Sequence, residues 1–247
     1  MKLLQAKKGV IVIATYGNAN DKYQVQEGDV WGATQKGKKY HVFACGDVTR
    51  YYQAGAIGAF LHGKKADVIY TDPPWTPQIM VEFLKSAGKD VDWINFDNFV
   101  YDFCKVLKVS CFAGPIMMAL GNKYASHFIQ AISNLGAKTL SEVPAVYAQG
   151  IQYTFWAGTF GSFKLPDSTP VGMIGNQSDD YAASLVEPGQ VFFDPCCGTG
   201  TFPLTVLKTV EDVSVCGVEL IPRKLANCLA TLEGLGYEVD RYQQNVI

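Results

Sequence analysis

The chain has 247 residues, of which 48% are hydrophobic and 18% charged, a composition typical of a folded globular protein and not of a disordered or fibrous one. A formal net charge of −2 excludes binding to duplex DNA by bulk positive charge alone, because phosphate neutralisation needs clustered lysine and arginine. Seven cysteines without a Cys-x-x-Cys spacing and three scattered histidines predict neither a disulfide framework nor a metal site. No apolar run reaches the roughly 20 residues of a membrane helix and no secretory signal is recognisable, so we expect a cytoplasmic protein.

The first half of the chain alternates short β-branched runs with longer amphipathic segments, which predicts strands and helices in turn. The predicted strands are residues 10–13, 41–45 and 67–71. The predicted helices are residues 49–61, 78–86 and 97–107. Asp97 or Asn98 is the expected N-cap of the last helix, because short polar side chains accept hydrogen bonds from free backbone amides.

The second half continues the same alternation. The predicted strands are residues 115–120, two strands within 138–157 that turn at Gly150, residues 191–193 and residues 213–218. The predicted helices are residues 123–135, residues 179–187, a segment after the glycines near 200, and a segment that Pro222 opens. Residues 158–177 are rich in Gly, Pro and Ser and predict a long loop. This order predicts one α/β domain, residues 1–247, with a doubly wound, mostly parallel sheet and an N-terminal extension over residues 1–40.

A glycine-rich loop lies between the predicted strand at 191–193 and the helix that follows. Its residues are Asp194, Pro195, Cys196, Cys197, Gly198, Thr199, Gly200 and Thr201. The two glycines let the backbone approach a ligand, and the amides of the helix start point at it. An acid before the loop would repel a pyrophosphate but suits a positively charged ligand. Glu219, at the end of the next strand, can accept hydrogen bonds from both hydroxyls of a ribose. The set predicts a cofactor site that is not a dinucleotide site.

Cys196 has a second interpretation. Pro195-Cys196 resembles the Pro-Cys nucleophile of cytosine-C5 methyltransferases. That nucleophile needs a loop of its own, whereas Cys196 lies inside the glycine-rich loop. A small side chain packed under the cofactor is therefore the favoured interpretation.

Asp72-Pro73-Pro74-Trp75 directly follows the predicted strand at 67–71. An exocyclic amine of a nucleobase is a poor nucleophile, and acceptors for both of its hydrogens help the nitrogen become tetrahedral. Asp72 and the Pro73 carbonyl can supply these acceptors on a loop that the two prolines stiffen. Trp75 offers a flat face on which a base can stack. By itself the tetrapeptide is equally compatible with a proline-rich turn and a core tryptophan. In a doubly wound sheet, however, the carboxyl ends of adjacent strands share one crevice, so both loops can meet there.

Together these residues resemble the amino-group DNA methyltransferases in the circularly permuted, beta-class order, where the catalytic loop precedes the cofactor loop. The family motif Asp/Asn/Ser-Pro-Pro-aromatic is similar to Asp72–Trp75, and Asp-Pro-Phe-x-Gly-Ser-Gly-Thr is similar to Asp194–Thr201. The resemblance implies a Rossmann-like methyltransferase fold, S-adenosylmethionine as the methyl donor, no metal, and DNA as substrate. It further implies adenine N6 as the acceptor, through Asp72, and a contact of Asp47 with the cofactor adenine.

The sequence departs from the family pattern in two respects. The family carries a Lys-Pro pair that helps to hold the methionine carboxylate, whereas residues 175–180 contain no lysine, leaving Asn176 or Ser178 as substitutes. There is also little room for a target-recognition domain, whose candidates are residues 19–40, 76–95 and 147–177. Of these, the aromatic residues after 147 fit a core hairpin better. The enzyme would then have a loose sequence preference or borrow contacts in a homodimer.

Three alternatives remain open at this point. Cytosine N4 is a second acceptor for the same chemistry, and RNA adenine a third, since the Asp-Pro-Pro-Trp tetrapeptide also occurs in messenger-RNA adenosine methyltransferases. The missing lysine favours a non-catalytic protein that binds cofactor or nucleic acid. If the substrate is a duplex, the base must leave the stack to reach Asp72, and residues after Trp75 could close over it.

Overall fold

The computed structural model describes residues 22–242 apart from residues 38, 62 and 112. The strand predicted at residues 10–13 therefore lies outside the described residues. Among the helices that the structure describes, none is long and apolar enough to cross a membrane.

Ten described strands form one sheet in the order β10-β1-β2-β9-β8-β3-β4-β6-β5-β7. Their bounds are β1 Val30–Thr34, β2 His41–Cys45, β3 Val68–Thr71, β4 Ile116–Gly121, β5 Lys138–Val146, β6 Gln152–Thr159, β7 Met173–Ile174, β8 Val191–Asp194, β9 Ser214–Glu219 and β10 Glu238–Tyr242. The central strands β2, β9, β8, β3 and β4 run parallel to one another. Antiparallel pairs flank them, through β1 and β10 on one side and β6 and β5 on the other. The parallel centre is the predicted one, and it places five strand ends at one edge.

Helices cover both faces of this sheet, as a doubly wound order requires. Their bounds are α1 Val48–Gln53, α2 Ile57–Phe60, α3 Pro77–Ser86, α4 Phe96–Ser110, α5 Ala125–Asn134, α6 Gln177–Ser184, α7 Thr201–Thr209 and α8 Pro222–Gly234. Helices α1 to α5 pack on one face, where Phe103, Leu107 and Phe128 are buried against the sheet. Helices α6 to α8 pack on the other, with Leu225 and Leu229 in a second apolar core. Alternate strand residues point into the two cores.

Several predicted boundaries were wrong for identifiable physical reasons. The single helix expected over residues 49–61 is interrupted between α1 and α2, where Gly55 has φ +71°, a left-handed conformation that ends a helix. The N-cap of α4 is Asn95 and not Asp97 or Asn98, because the Asn95 side chain accepts from the amide of Asn98. Residues 158–177 are not entirely loop, since they contain the short edge strand β7.

The proposed N-terminal extension needs a larger correction. Within the part of residues 1–40 that the structure describes, β1 pairs with both β2 and β10. Ala33 is completely buried and Trp31 nearly so, so β1 belongs to the folded core. The sequence pattern of β1 is short and interrupted by Gly32, which explains why periodicity did not reveal it.

Candidate active site

Strands β3 and β8 are direct parallel neighbours, with Ile69 opposite Phe193. The loops that follow them, beginning at Asp72 and Asp194, therefore leave the sheet side by side at its carboxyl edge. A cavity of about 260 Å³ lies there and is lined by residues of both loops. From the sequence-predicted site it is lined by Asp47, Asp72, Pro74, Pro195, Cys196, Cys197, Gly198, Thr199, Thr201 and Glu219. The other predicted residues, Pro73, Trp75, Asp194 and Gly200, do not line the cavity.

The glycine-rich loop is fixed to the end of β9 by backbone hydrogen bonds. The amide of Cys197 donates to the Val218 carbonyl at 2.9 Å, and the amide of Gly198 donates to Glu219 Oε2 at 2.8 Å. Gly198 and Gly200 have φ of +56° and +88°, conformations in which side chains are strained. A Cβ at position 200 would also collide with the Cys228 thiol. Both glycines are therefore required by the turn, as the sequence predicted.

The three acidic residues predicted to bind the cofactor, Asp47, Asp194 and Glu219, differ in their position relative to the cavity. Asp47 lines the cavity while its Oδ1 caps α1 through the amide of Thr49 at 2.9 Å. Glu219 lines the cavity, although its Oε1 already accepts from the amide of Ile221 at 2.7 Å. Asp194 is completely buried beneath the loop; its Oδ1 accepts from the amide of Cys196, and its Oδ2 has no hydrogen-bond partner among the described residues. Burial raises the pKa of both Asp194 and Glu219 above the ordinary range.

Asp72 is half-buried at the rim of the cavity, and each of its carboxylate oxygens has a donor. The indole N–H of Trp75 donates to Oδ1 at 2.6 Å, and the hydroxyl of Tyr147 donates to Oδ2 at 3.3 Å. Burial raises the pKa of Asp72 to about 7, although these two hydrogen bonds and the charge of Lys224 act in the opposite direction. Burial also raises the pKa of Tyr147, so its hydroxyl keeps the proton that it donates.

Trp75, whose ring is predicted to offer a flat face to a base, packs against two tyrosines. Its ring is parallel to Tyr147, with centroids 6.0 Å apart and 9° between the planes, and nearly parallel to Tyr153. Its indole N–H donates both to Asp72 and to the carbonyl of Ala119, at 3.1 Å. At Gly121, a Cβ would come within 2.7 Å of Trp75 Cβ, so the end of β4 leaves space for the indole. Trp75 thus packs between β4 and the β5–β6 hairpin, behind Asp72.

Cys196 and Cys197 both line the cavity, and Cys197 is buried. Burial raises the pKa of both thiols well above the ordinary value, and nearby Asp194 and Glu219 add to the effect. A nucleophilic cysteine needs a lowered pKa, so the surroundings of Cys196 favour the packing interpretation. Among the described residues, no group of three His, Cys, Asp or Glu side chains is placed to hold a metal ion.

Sequence reasoning missed several residues of the cavity wall. These are Gly46, Val48, Met80, Phe83, Phe99, Phe202, Leu220 and Lys224. Met80 and Phe83 lie three positions apart on α3 and both line the cavity, so this part of the 76–95 segment is a helix at the site. Lys224 is the only cationic residue of the described cavity wall, and its Nζ lies 4.2 Å from the Phe83 ring centroid. The i, i+3 spacing of Met80 and Phe83, shortly after Asp72–Trp75, could have indicated that these two side chains face the site. No sequence pattern indicated that Lys224 would line the cavity.

Two expectations about the segment around residue 178 are not met by the structure. Ser178 is completely buried, accepts from the Tyr153 hydroxyl at 2.8 Å and donates to Asp179. Neither Ser178 nor Asn176 lines the cavity. They are therefore not placed to replace the family lysine. The core-hairpin interpretation of the aromatic stretch holds for Tyr153, Phe155 and Trp156, which are buried, whereas Tyr147 reaches the site.

The fold matches those of solved structures that include a DNA methyltransferase and two proteins bound to S-adenosylmethionine. The M1.HpyAVI–SAM complex matches with a TM-score of 0.55 at 13% identity, over 77% of this chain and 98% of that one. TTHA0409 from Thermus thermophilus is described as a candidate DNA modification methylase and was solved with S-adenosyl-L-methionine. It matches with a TM-score of 0.52 at 15% identity, over 78% of this chain and 93% of that one. PvuII DNA methyltransferase, described as cytosine-N4-specific, matches with a TM-score of 0.58 at 12% identity, over 79% of this chain and 86% of that one. No protein-family model and no curated protein sequence matches the chain.

Proposed function

We propose that this protein transfers a methyl group from S-adenosylmethionine to the exocyclic N6 amine of adenine in DNA. The observation that carries the proposal is the shared cavity. A half-buried carboxylate on the Asp72 loop and the glycine-rich loop after β8 line it together. The likeness to structures described as a DNA modification methylase and a DNA methyltransferase supports the choice of DNA, and the resemblance of Asp72–Trp75 to the adenine motif supports N6.

The cavity wall fits the chemistry of this cofactor. The glycine-rich loop brings backbone amides to the cavity, and Glu219 offers its remaining lone pairs to ribose hydroxyls. Apolar side chains of α3, α4 and α7 give a surface for an adenine ring. Three carboxylates, Asp47, Asp72 and Glu219, line the wall with one cation, Lys224, so the cavity favours a positively charged ligand. When bound, S-adenosylmethionine would supply the electrophilic methyl group.

Asp72 has the principal chemical role in this proposal. As a carboxylate it accepts a hydrogen bond from the target amine and draws the nitrogen lone pair out of conjugation with the ring. The nitrogen becomes positively charged as it gains the methyl group, and Asp72 stabilises that charge and can receive the proton that leaves. The Pro73 carbonyl is our candidate for the second acceptor. We regard residues 1–247 as one methyltransferase domain.

Cytosine N4 is the second candidate, because a structural neighbour is described as cytosine-N4-specific and the same acceptors serve that amine. The test incubates the protein with labelled S-adenosylmethionine and duplex DNA, single-stranded DNA or RNA, followed by nucleoside analysis. We expect N6-methyl-2′-deoxyadenosine from DNA, and a loss of about 100-fold or more in Asp72→Ala with cofactor binding retained. Asp92→Ala, at an exposed carboxylate, is the matched control.

Each outcome of this test has one meaning. Label in N4-methylcytosine corrects the acceptor, and label in RNA alone corrects the substrate. Cofactor binding without transfer to any of the three nucleic acids overturns the enzymatic proposal in favour of a binding protein. Transfer that survives in Asp72→Ala removes the proposed role of that carboxylate.

A further inference from the structure

Both oxygens of the Asp72 carboxylate accept hydrogen bonds from side chains, those of Trp75 and Tyr147. The Asp-Pro-Pro-aromatic motif does not by itself require either donor. The Trp75 indole N–H meets Oδ1 at 2.6 Å, and the Tyr147 hydroxyl meets Oδ2 at 3.3 Å. Among Phe, Tyr and Trp, only a tryptophan at position 75 can make the first contact from a ring N–H, since Phe has no polar atom and Tyr carries its hydroxyl elsewhere. Tyr147 comes from the β5–β6 hairpin, 75 residues away in sequence.

We propose that Trp75 and Tyr147 are positioning residues that orient the Asp72 carboxylate towards the target amine. We call the two hydrogen bonds from Trp75 and Tyr147 to Asp72 the clamp. The consequence of this inference for catalysis rests on the proposed function, but the clamp itself is a property of the free protein. A carboxylate has about four lone-pair sites, so two donors leave acceptor sites for the amine hydrogen. Charge-assisted hydrogen bonds of this kind fix direction as well as charge.

Trp75 is itself fixed by its surroundings, which is what a positioning role requires. Its N–H is shared with the Ala119 carbonyl of β4, its ring is parallel to Tyr147 and Tyr153, and the absence of a side chain at Gly121 makes room for it. Tyr147 and Tyr153 stack with centroids 4.4 Å apart. The donors therefore belong to a packed unit and do not have to be ordered when the substrate arrives.

The clamp also opposes the tendency of Asp72 to take up a proton. Burial raises the pKa of Asp72 to about 7, and the hydrogen bonds from Trp75 and Tyr147 lower it. Other charged or titratable groups that interact with Asp72 are Asp179 of α6, Lys224 of α8, Tyr153 of the hairpin, and Asp194 and Cys196 at the end of β8. Of these, only Lys224 is a cation, so removal of a donor is expected to move the pKa of Asp72 further upward.

The test compares Trp75→Phe, which keeps an aromatic ring and removes the N–H, with Tyr147→Phe. Tyr153→Phe is the matched control, because Tyr153 stacks in the same cluster but its hydroxyl donates to Ser178 and not to Asp72. The first readout is the titration of Asp72 by NMR of ¹³C-labelled aspartate carboxyls, with Asp72→Asn to assign the signal. We expect the midpoint to rise by about one pH unit in Trp75→Phe, by less in Tyr147→Phe, and not in the control.

The second readout is the pH profile of methyl transfer at saturating cofactor. Its acidic limb should move upward by about the same amount in Trp75→Phe, with kcat reduced roughly 10-fold and the KM for DNA little changed. An unmoved Asp72 titration in both variants overturns the inference, whether or not the protein methylates DNA. A moved titration without any methyl transfer by the unmodified protein keeps the clamp and overturns the proposed function.

Discussion

Replacing Asp72 by asparagine should stabilise the folded protein at alkaline pH while it impairs the proposed chemistry. The pKa of Asp72 is raised from 3.8 to about 7 by burial. Between these two values the folded protein keeps a proton that the unfolded chain releases. The free energy of unfolding therefore falls as pH rises from about 4 to about 7, and the contribution of Asp72 is fully lost above that. An asparagine at this position does not titrate, so the variant escapes this loss.

The magnitude follows from the pKa difference. One pKa unit corresponds to about 1.4 kcal/mol, so the interval from pH 5 to pH 7 has a ceiling of about 3 kcal/mol. Because Asp72 lies at the cavity rim and is only half-buried, solvent screening reduces this to about 1–2 kcal/mol. For a chain of this size, this corresponds to roughly 3–6 °C in melting temperature.

The assay is thermal unfolding of the unmodified protein and Asp72→Asn at pH 5 and pH 8, without cofactor. The quantity to compare is the change with pH of the difference between the two melting temperatures, because contributions of other buried acids, such as Asp179, are present in both proteins. Asp92→Asn, at a carboxylate that is 90% exposed and paired with Lys85, should show no such change. A difference for Asp72→Asn that is the same at both pH values would refute the assigned burial cost.

Three further changes have expected outcomes. Methyl transfer should survive in Cys196→Ser within about threefold, because burial raises the pKa of this thiol and disfavours a nucleophilic thiolate; loss of about 100-fold would restore the nucleophile interpretation. Gly121→Ala should lower kcat because the new Cβ displaces Trp75, while calorimetry should show an unchanged affinity for the cofactor. An unchanged kcat would contradict the packing of Trp75 against Gly121. Gly200→Ala should lower the free energy of unfolding in urea by about 2 kcal/mol or more and weaken cofactor binding, because Gly200 has φ +88° and a Cβ there would collide with the Cys228 thiol. A variant as stable as the unmodified protein would show that the loop adapts.

The sequence predicted the elements that its local patterns determine. The buried central strands and the two strand-end loops were recognisable because β-branched runs led directly into Asp72 and Asp194. The rule that parallel strand ends share an edge then predicted that these loops meet. The rule does not say which strands are neighbours, and the pairing of β3 with β8 came only from the structure.

Contacts between distant parts of the chain were not predictable in the same way. The Tyr147 hydroxyl reaches Asp72 because the β5–β6 hairpin pairs with β4, and no local pattern around residue 147 indicates that partner. Strand β1 was missed because its short pattern is interrupted by Gly32, and its pairing with β10 joins distant parts of the described chain. The position of Asp194 beneath its loop, where it does not line the cavity, likewise depends on how the loop folds back onto β9.

The distribution of charge at the sheet edge carries its own argument about function. Asp194 and Glu219 are buried and Asp72 is half-buried, and this burial raises the pKa of all three, so each costs stability when ionised. A cluster of buried carboxylates with Lys224 as the only cation of the described cavity wall gives the free protein no electrostatic gain that would explain it. A cationic ligand in the cavity would offset the repulsion and favour the ionised form of Asp72. The same ligand would therefore both stabilise the fold and prepare the carboxylate as an acceptor, a coupling that the proposed sulfonium methyl donor would provide and an anionic nucleotide would not.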